Sequence, residues 1–104
     1  MEREKILKQI KRSVSAVVPK AEVILYGSYA RGEEKSTSDI DILILLDQDD
    51  ISLNDEIKIA YPLYEIEYST GVIISPLILS KKKWNKLHRI TPFYENILNE
   101  GIRL

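Results

Sequence analysis

Two short segments carry the residue types and spacing that chemistry needs. Gly27-Ser28-Tyr29-Ala30-Arg31-Gly32 follows the apolar run Val23-Ile24-Leu25-Tyr26, and Ser38-Asp39-Ile40-Asp41 leads into Ile42-Leu43-Ile44-Leu45-Leu46. A strand that ends in Gly-Ser and opens a short helix offers backbone N–H groups to a phosphate. Two aspartates two residues apart at the mouth of a strand point to one side of the sheet and can share a divalent ion. A phosphate grip next to a metal clamp points to chemistry on a nucleoside triphosphate.

Each residue has a bland reading beside the sharp one. Gly27 permits a turn closed to other residues and keeps a side chain from standing between sheet and ligand. Ser28 can donate to a phosphate oxygen, or simply cap the helix that follows it. Arg31 can reach a phosphate or project into solvent, and Gly32 ends the short helix. Asp39 and Asp41 should repel each other unless a cation sits between them, although a turn cap and an exposed strand end would look similar. Ser38 is expected to support the loop by bonding to backbone.

These residues need elements to position them. Ile6, Leu7, Ile10, Val14 and Val17 recur at helical spacing, predicting a helix from about Glu2 to Val18 that Pro19 ends. Strands are expected over Glu22 to Tyr26, Asp39 to Leu46 and Val72 to Leu79. The second is apolar on both faces, as a sheet centre covered by helices requires. Pro76 places the third at an edge or a bulge. Between them, Ile57, Ala60, Tyr61, Tyr64 and Tyr68 describe a helical stripe ending at Thr70-Gly71, with a kink or a late start at Pro62. The tyrosines of this stripe, Trp84 and Phe93 are expected to be core or half-buried contacts. Ser80 is placed as the cap of a helix holding Trp84 and Leu87, and Thr91-Pro92 as cap and first residue of another that runs to Gly101.

Composition narrows the classes. The chain has 104 residues, expected to form a single domain over 1–104, and 44% of them are hydrophobic. Lys plus Arg number 15 against 16 Asp plus Glu, so nothing demands a nucleic-acid partner. Lys81-Lys82-Lys83 reads as a wet surface, because no interleaved aromatics accompany it. The absence of cysteine excludes disulfides, thiolate zinc sites and cysteine catalysis. His88, the sole histidine, lacks spaced partners and reads as an ordinary helix residue. With no signal-like start and no apolar run long enough for a bilayer, a cytoplasmic location is expected.

The combined motif Gly27-Ser28-Tyr29-Ala30-Arg31-Gly32 with Ser38-Asp39-Ile40-Asp41 resembles the signature of the DNA polymerase beta-like nucleotidyltransferases, in particular their minimal branch. The resemblance spans nearly the whole chain. It implies an α/β (α+β) fold, a small mixed β-sheet with packed helices. It also implies that Gly27 and Ser28 hold the triphosphate and that Asp39 and Asp41 are the catalytic, metal-binding pair, with Mg2+ or Mn2+ as cofactor and ATP as substrate. The implied activity is metal-dependent transfer of a nucleoside monophosphate to a hydroxyl, on a partner protein where one provides it. The minimal branch is often paired with small helical proteins of the higher-eukaryote-and-prokaryote nucleotide-binding (HEPN) class in toxin–antitoxin arrangements. The competing reading is therefore an antitoxin-like binding protein that keeps the fold with little or no catalysis. Two departures stand out. Tyr29 occupies a place where the branch often has Arg, outside the metal site. The family's third carboxylate belongs on the strand after the aspartate pair, yet Val72 to Leu79 holds no acid and Ser75 is its one hydroxyl. Glu65 and Glu67, the nearest acids, read as a solvated face of the preceding helix.

Overall fold

A computed structural model describes residues 3–35, 37–87 and 90–104. The first helix, α1 (Arg3–Val17), buries Ile6, Ile10 and Val14, each four residues from the next and so on one face. The chain then forms β1 (Glu22–Tyr26), the four-residue helix α2 (Ser28–Arg31) and β2 (Ile40–Leu46). A long helix, α3 (Leu53–Thr70), crosses over to β3 (Ile74–Ser80), which is followed by α4 (Lys81–Leu87), α5 (Pro92–Glu100) and β4 (Ile102–Arg103). The sheet order is β3-β2-β1-β4, with β3 parallel to β2 and the other two pairings antiparallel. This is the small mixed sheet with packed helices that the sequence implied.

Strand parity sorts the core into two layers. Val23, Leu25, Ile40, Ile42, Ile44, Leu46 and Ile74 face α1 and α3, meeting Ile6, Ile10, Val14, Ile59 and Leu63. On the opposite face Leu43 and Leu45 pack with Trp84 and Ile97, joined by Tyr26 and Phe93. Because β2 is central and covered on both sides, it is apolar at every position beyond Asp41.

The helix ends follow their local chemistry. The Ser80 hydroxyl accepts from the Lys83 N–H at 3.1 Å, and Thr91 accepts from the Tyr94 N–H at 3.1 Å with Pro92 as the first helical residue. Gly71 closes α3 in the left-handed region at φ 75°. The helix begins well before Pro62 and runs through it, so the late start is not observed. Ser52 caps it in a reciprocal box with Asp55.

Two expectations fail, and one element is new. Ser28 does not cap α2; Gly27 holds that position and Ser28 is the first helical residue. The tyrosine stripe of α3 faces outward, with Tyr61, Tyr64 and Tyr68 exposed, while Ile59 and Leu63 face the sheet. The strand β4 was not expected at all. Trp84 is buried and Phe93 half-buried, as anticipated, whereas His88 lies outside the described residues. No helix among the described residues is long and apolar enough to cross a membrane.

Candidate active site

The two halves of the motif meet because β1 and β2 are antiparallel. The last β1 residue, Tyr26, stands opposite Asp41 near the start of β2. Gly27 therefore turns the chain directly beside Asp41. Its backbone lies at φ 76°, ψ −156°, a region essentially restricted to glycine. A Cβ there would collide with the Asp41 carboxylate, so a glycine is required twice over, by conformation and by space. Gly27→Ala should cost about 1–3 kcal/mol of stability from the backbone alone. The carboxylate clash adds to this, so the loss should shrink when Asp41 is also replaced by Ala. Denaturant titration of the single and double variants measures the difference, and equal losses in both backgrounds would refute the contact.

Beyond Gly27 the short helix starts at once. The carbonyl of Gly27 accepts from Ala30 and Arg31, at 3.1 and 3.2 Å. The N–H groups of Ser28 and Tyr29, in the first turn, have no intrahelical acceptor. Gly32, at φ 70°, ends the turn as expected. The turn is anchored from beneath. Tyr29 is buried in the α1 side of the core, and the Arg3 guanidinium donates to the Tyr29 carbonyl at 3.3 Å and to Glu34 at 3.0 Å. This core role accounts for a tyrosine at the position where the sequence departed from the branch.

Asp39 and Asp41 share one face of the sheet, as their spacing requires. Asp39 is exposed and Asp41 half-buried. Burial, and then the charge of Asp39, raise the Asp41 carboxyl above its ordinary value, while Arg31 pulls the other way. Burial and the charge of Asp41 in turn push the Tyr26 phenol up. Tyr26 stands edge-on to Phe93, with ring centroids 5.3 Å apart. Two carboxylates on one face are the oxygen-rich kind of arrangement that can hold a divalent cation.

The neighbours of this pair define its limits. Ser38 supports the loop, its hydroxyl accepting from the Lys35 N–H at 2.8 Å. Arg31 is exposed and bound to Glu33 at 2.6 Å and Glu100 at 3.3 Å, so it ties α2 to the end of α5. Ser75 is in register with Asp41 on the parallel strand, and its hydroxyl donates to Asp39 at 3.5 Å. It thus stands where a third carboxylate would complete the cluster. Glu67 is no substitute, because its carboxylate accepts from the Ile74 N–H at 2.6 Å and braces the entry to β3. That contact also revises the reading of Glu67 as merely solvated. Among the described residues no three His, Asp or Glu side chains come together in a group that could hold a metal ion. The sequence held no signal for the roles of Tyr26 and Glu67, which depend on strand pairing and on the path of the chain after α3.

The comparisons with known proteins agree with this geometry. The family described as nucleotidyltransferase domain matches residues 4–104. A protein of Methanocaldococcus jannaschii, provisionally named a protein adenylyltransferase, is 35% identical over an alignment of 106 positions that spans 100% of both chains. A solved structure of a provisionally named minimal nucleotidyltransferase is 26% identical, with a TM-score of 0.62 over 100% of this chain and 97% of that one. The crystal structure of a toxin–antitoxin with AMP-PNP shares the fold, with a TM-score of 0.62 at 17% identity over 98% of this chain and 72% of that one. With its motif, fold and full-length match in accord, the chain belongs to the nucleotidyltransferase-domain family.

Proposed function

We propose that the chain holds ATP with a divalent ion on Asp39 and Asp41 and transfers the nucleoside monophosphate to a hydroxyl of a partner protein. The observation that carries this reading is the Asp41 carboxylate set against the open side of Gly27, with Asp39 beside it on the same face. The provisional name of the 35% identical relative, a protein adenylyltransferase, favours ATP and a protein acceptor. The toxin–antitoxin neighbour favours a partner protein.

In the transfer, the acceptor oxygen bonds to the α-phosphorus, the bond to the β-phosphate oxygen breaks, and pyrophosphate leaves while the hydroxyl proton passes to solvent or a base. Gly27 lets the triphosphate approach the backbone. Ser28, with the N–H groups of Ser28 and Tyr29, grips the outer phosphates and aligns them for displacement. Asp39 and Asp41 supply the oxygens that would hold magnesium or manganese. When bound, such an ion offsets the charge of the triphosphate and of the phosphoryl group in transit. Asp39 is exposed and Asp41 half-buried, so a docking protein would complete the acceptor side.

Ser28→Ala separates grip from folding. Ser28 makes no cap bond, so its loss should change stability by less than about 0.5 kcal/mol. Loss of a hydrogen bond to a charged phosphate should weaken ATP binding by about 1.5–3 kcal/mol. Unchanged ATP affinity in calorimetry would remove Ser28 from the site.

A second reading is favoured by Ser75, which leaves the carboxylate cluster short of its third member. In that reading the chain is an antitoxin-like protein that keeps the fold and acts mainly by binding. Incubation with α-labelled ATP and magnesium, alone and with the product of an adjacent gene, tests both. Label on the partner that disappears in Asp39→Ala supports transfer, whereas a tight complex without label supports the binding protein.

A further inference from the structure

The side of α3 turned away from the sheet is apolar. Leu53, Ile57, Tyr61, Tyr64 and Tyr68 fall at intervals of four, four, three and four residues, which puts them on one helical face. Leu53 is 72%, Tyr61 63% and Tyr68 94% exposed. Between this face and Pro76 and Ile78 of β3 runs a groove of about 340 Å3. Just before β3 the exposed Ile73 accepts, through its carbonyl, from the N–H of Ile40, the residue between Asp39 and Asp41. The C-terminal end of α3 thus lies at the same end of the sheet as the carboxylate pair, which occupies the opposite face.

We propose that this face docks a basic amphipathic helix of a partner protein and so holds that protein at the end of the sheet that carries the carboxylate pair. The inference rests on the transfer reading above and names its docking surface. Charge selects the partner. Within α3, Asp55, Glu56, Glu65 and Glu67 face a single cation, Lys58, and β3 has no charge at all. Glu56 and Glu65 flank the stripe in solvent. A second copy of the chain would set these acids against each other, whereas Lys or Arg beside an apolar stripe would pair with them. Backbone chemistry selects a helix over a strand. The Ile40 bond to Ile73 turns the backbone groups of Ile74 and Pro76 to the outer edge of β3. There Glu67 already accepts from the Ile74 N–H, and Pro76 has no N–H to offer. An added strand would lose two donors along this edge, and the spaced side chains of α3 instead suit a helix laid in the groove.

The test uses the full chain and two fluorescein-labelled synthetic 18-residue helices, one with leucines flanked by lysines and the other with glutamates in place of the lysines. Anisotropy should show binding of the lysine helix and at least tenfold weaker binding of the glutamate helix. The double variant Tyr61→Ser/Tyr64→Ser should weaken the lysine helix at least tenfold without lowering the melting temperature. Glu56→Lys/Glu65→Lys should reverse the preference. Equal binding of both helices, or unchanged binding in the tyrosine variant, would overturn the docking surface. So would self-association in sedimentation that the tyrosine substitutions abolish, because a second copy would then be the occupant. ATP binding with magnesium, measured on the same samples, keeps the two proposals apart. Its loss with helix binding intact removes the transfer reading, and its retention without helix binding removes the surface alone.

Discussion

Asp41→Asn should abolish the mutual strengthening of magnesium and ATP binding while raising the melting temperature of the ligand-free chain. Burial, and then the neighbouring charge of Asp39, hold the Asp41 carboxyl above its ordinary value of 3.8. A carboxyl raised in the folded state favours folding most when protonated. Its contribution is present below the unfolded value and is lost as pH rises through the folded one. At neutral pH the ionised group therefore costs stability, and the neutral amide removes that cost. On acidification toward the ordinary carboxylate range, the advantage of the variant should shrink as the wild-type carboxyl takes up its proton. The ligand-bound comparison runs the other way. At a hundred times its dissociation constant a ligand adds about 2.7 kcal/mol to the wild type, and the variant should gain almost none of this from ATP with magnesium. Asp39→Asn should show the same loss of coupling. Melting curves across pH, with and without both ligands, measure all of this. Retained stabilisation by ATP and magnesium would exclude the pair as the metal seat, and a lower ligand-free melting point would exclude the repulsion. A site group that weakens its own fold is the pattern expected where function and stability compete.

The parts of the molecule legible in the sequence were those whose causes are local. Gly27 and Gly32 announced positive backbone angles, the two-residue spacing of Asp39 and Asp41 fixed a shared face, and the bifacial apolar run of β2 marked a central strand. Pro76 announced an edge, and β3 is one. Spacing alone was less informative in α3. It grouped Ile57, Tyr61, Tyr64 and Tyr68 on one face, but a rival stripe of Ile59, Leu63 and Ile66 has the same helical logic. The aliphatic stripe won the sheet, and the hydroxyl-bearing tyrosines stayed in water. The role of Ser28 shifted by one residue because a glycine with open conformational space could take the cap position itself. The two residues of β4 pair with Ile24 and Leu25 some eighty positions earlier, and no local pattern encodes so distant a partner. Glu67 similarly looked like surface until the path after Gly71 brought the Ile74 N–H to it.

Ser75→Asp should raise nucleotide transfer by the isolated chain at least tenfold. The position follows from the register, since Ser75 is the β3 partner of Asp41 and its hydroxyl already reaches Asp39 at 3.5 Å. A carboxylate there would give the acceptor hydroxyl a base, a contribution worth roughly 100- to 10,000-fold where such a group is well placed. Serine cannot serve, because its hydroxyl stays protonated at neutral pH. The substitution should also carry a penalty that identifies it. Three carboxylates on one face repel, so the ligand-free variant should melt below wild type at neutral pH, and magnesium should restore it by more than it raises the wild type. Ser75→Asn, similar in size but without the charge, should show neither the gain in transfer nor the magnesium-dependent recovery. Pyrophosphate release and label on an added acceptor protein measure the rate, and melting with and without magnesium measures the charge cluster. If Ser75→Asp melts independently of magnesium, the new carboxylate does not face Asp39 and Asp41 and the register argument fails. If it melts as expected yet transfers no faster, the missing acid is not what limits the chain, and the binding-protein reading gains over the enzyme.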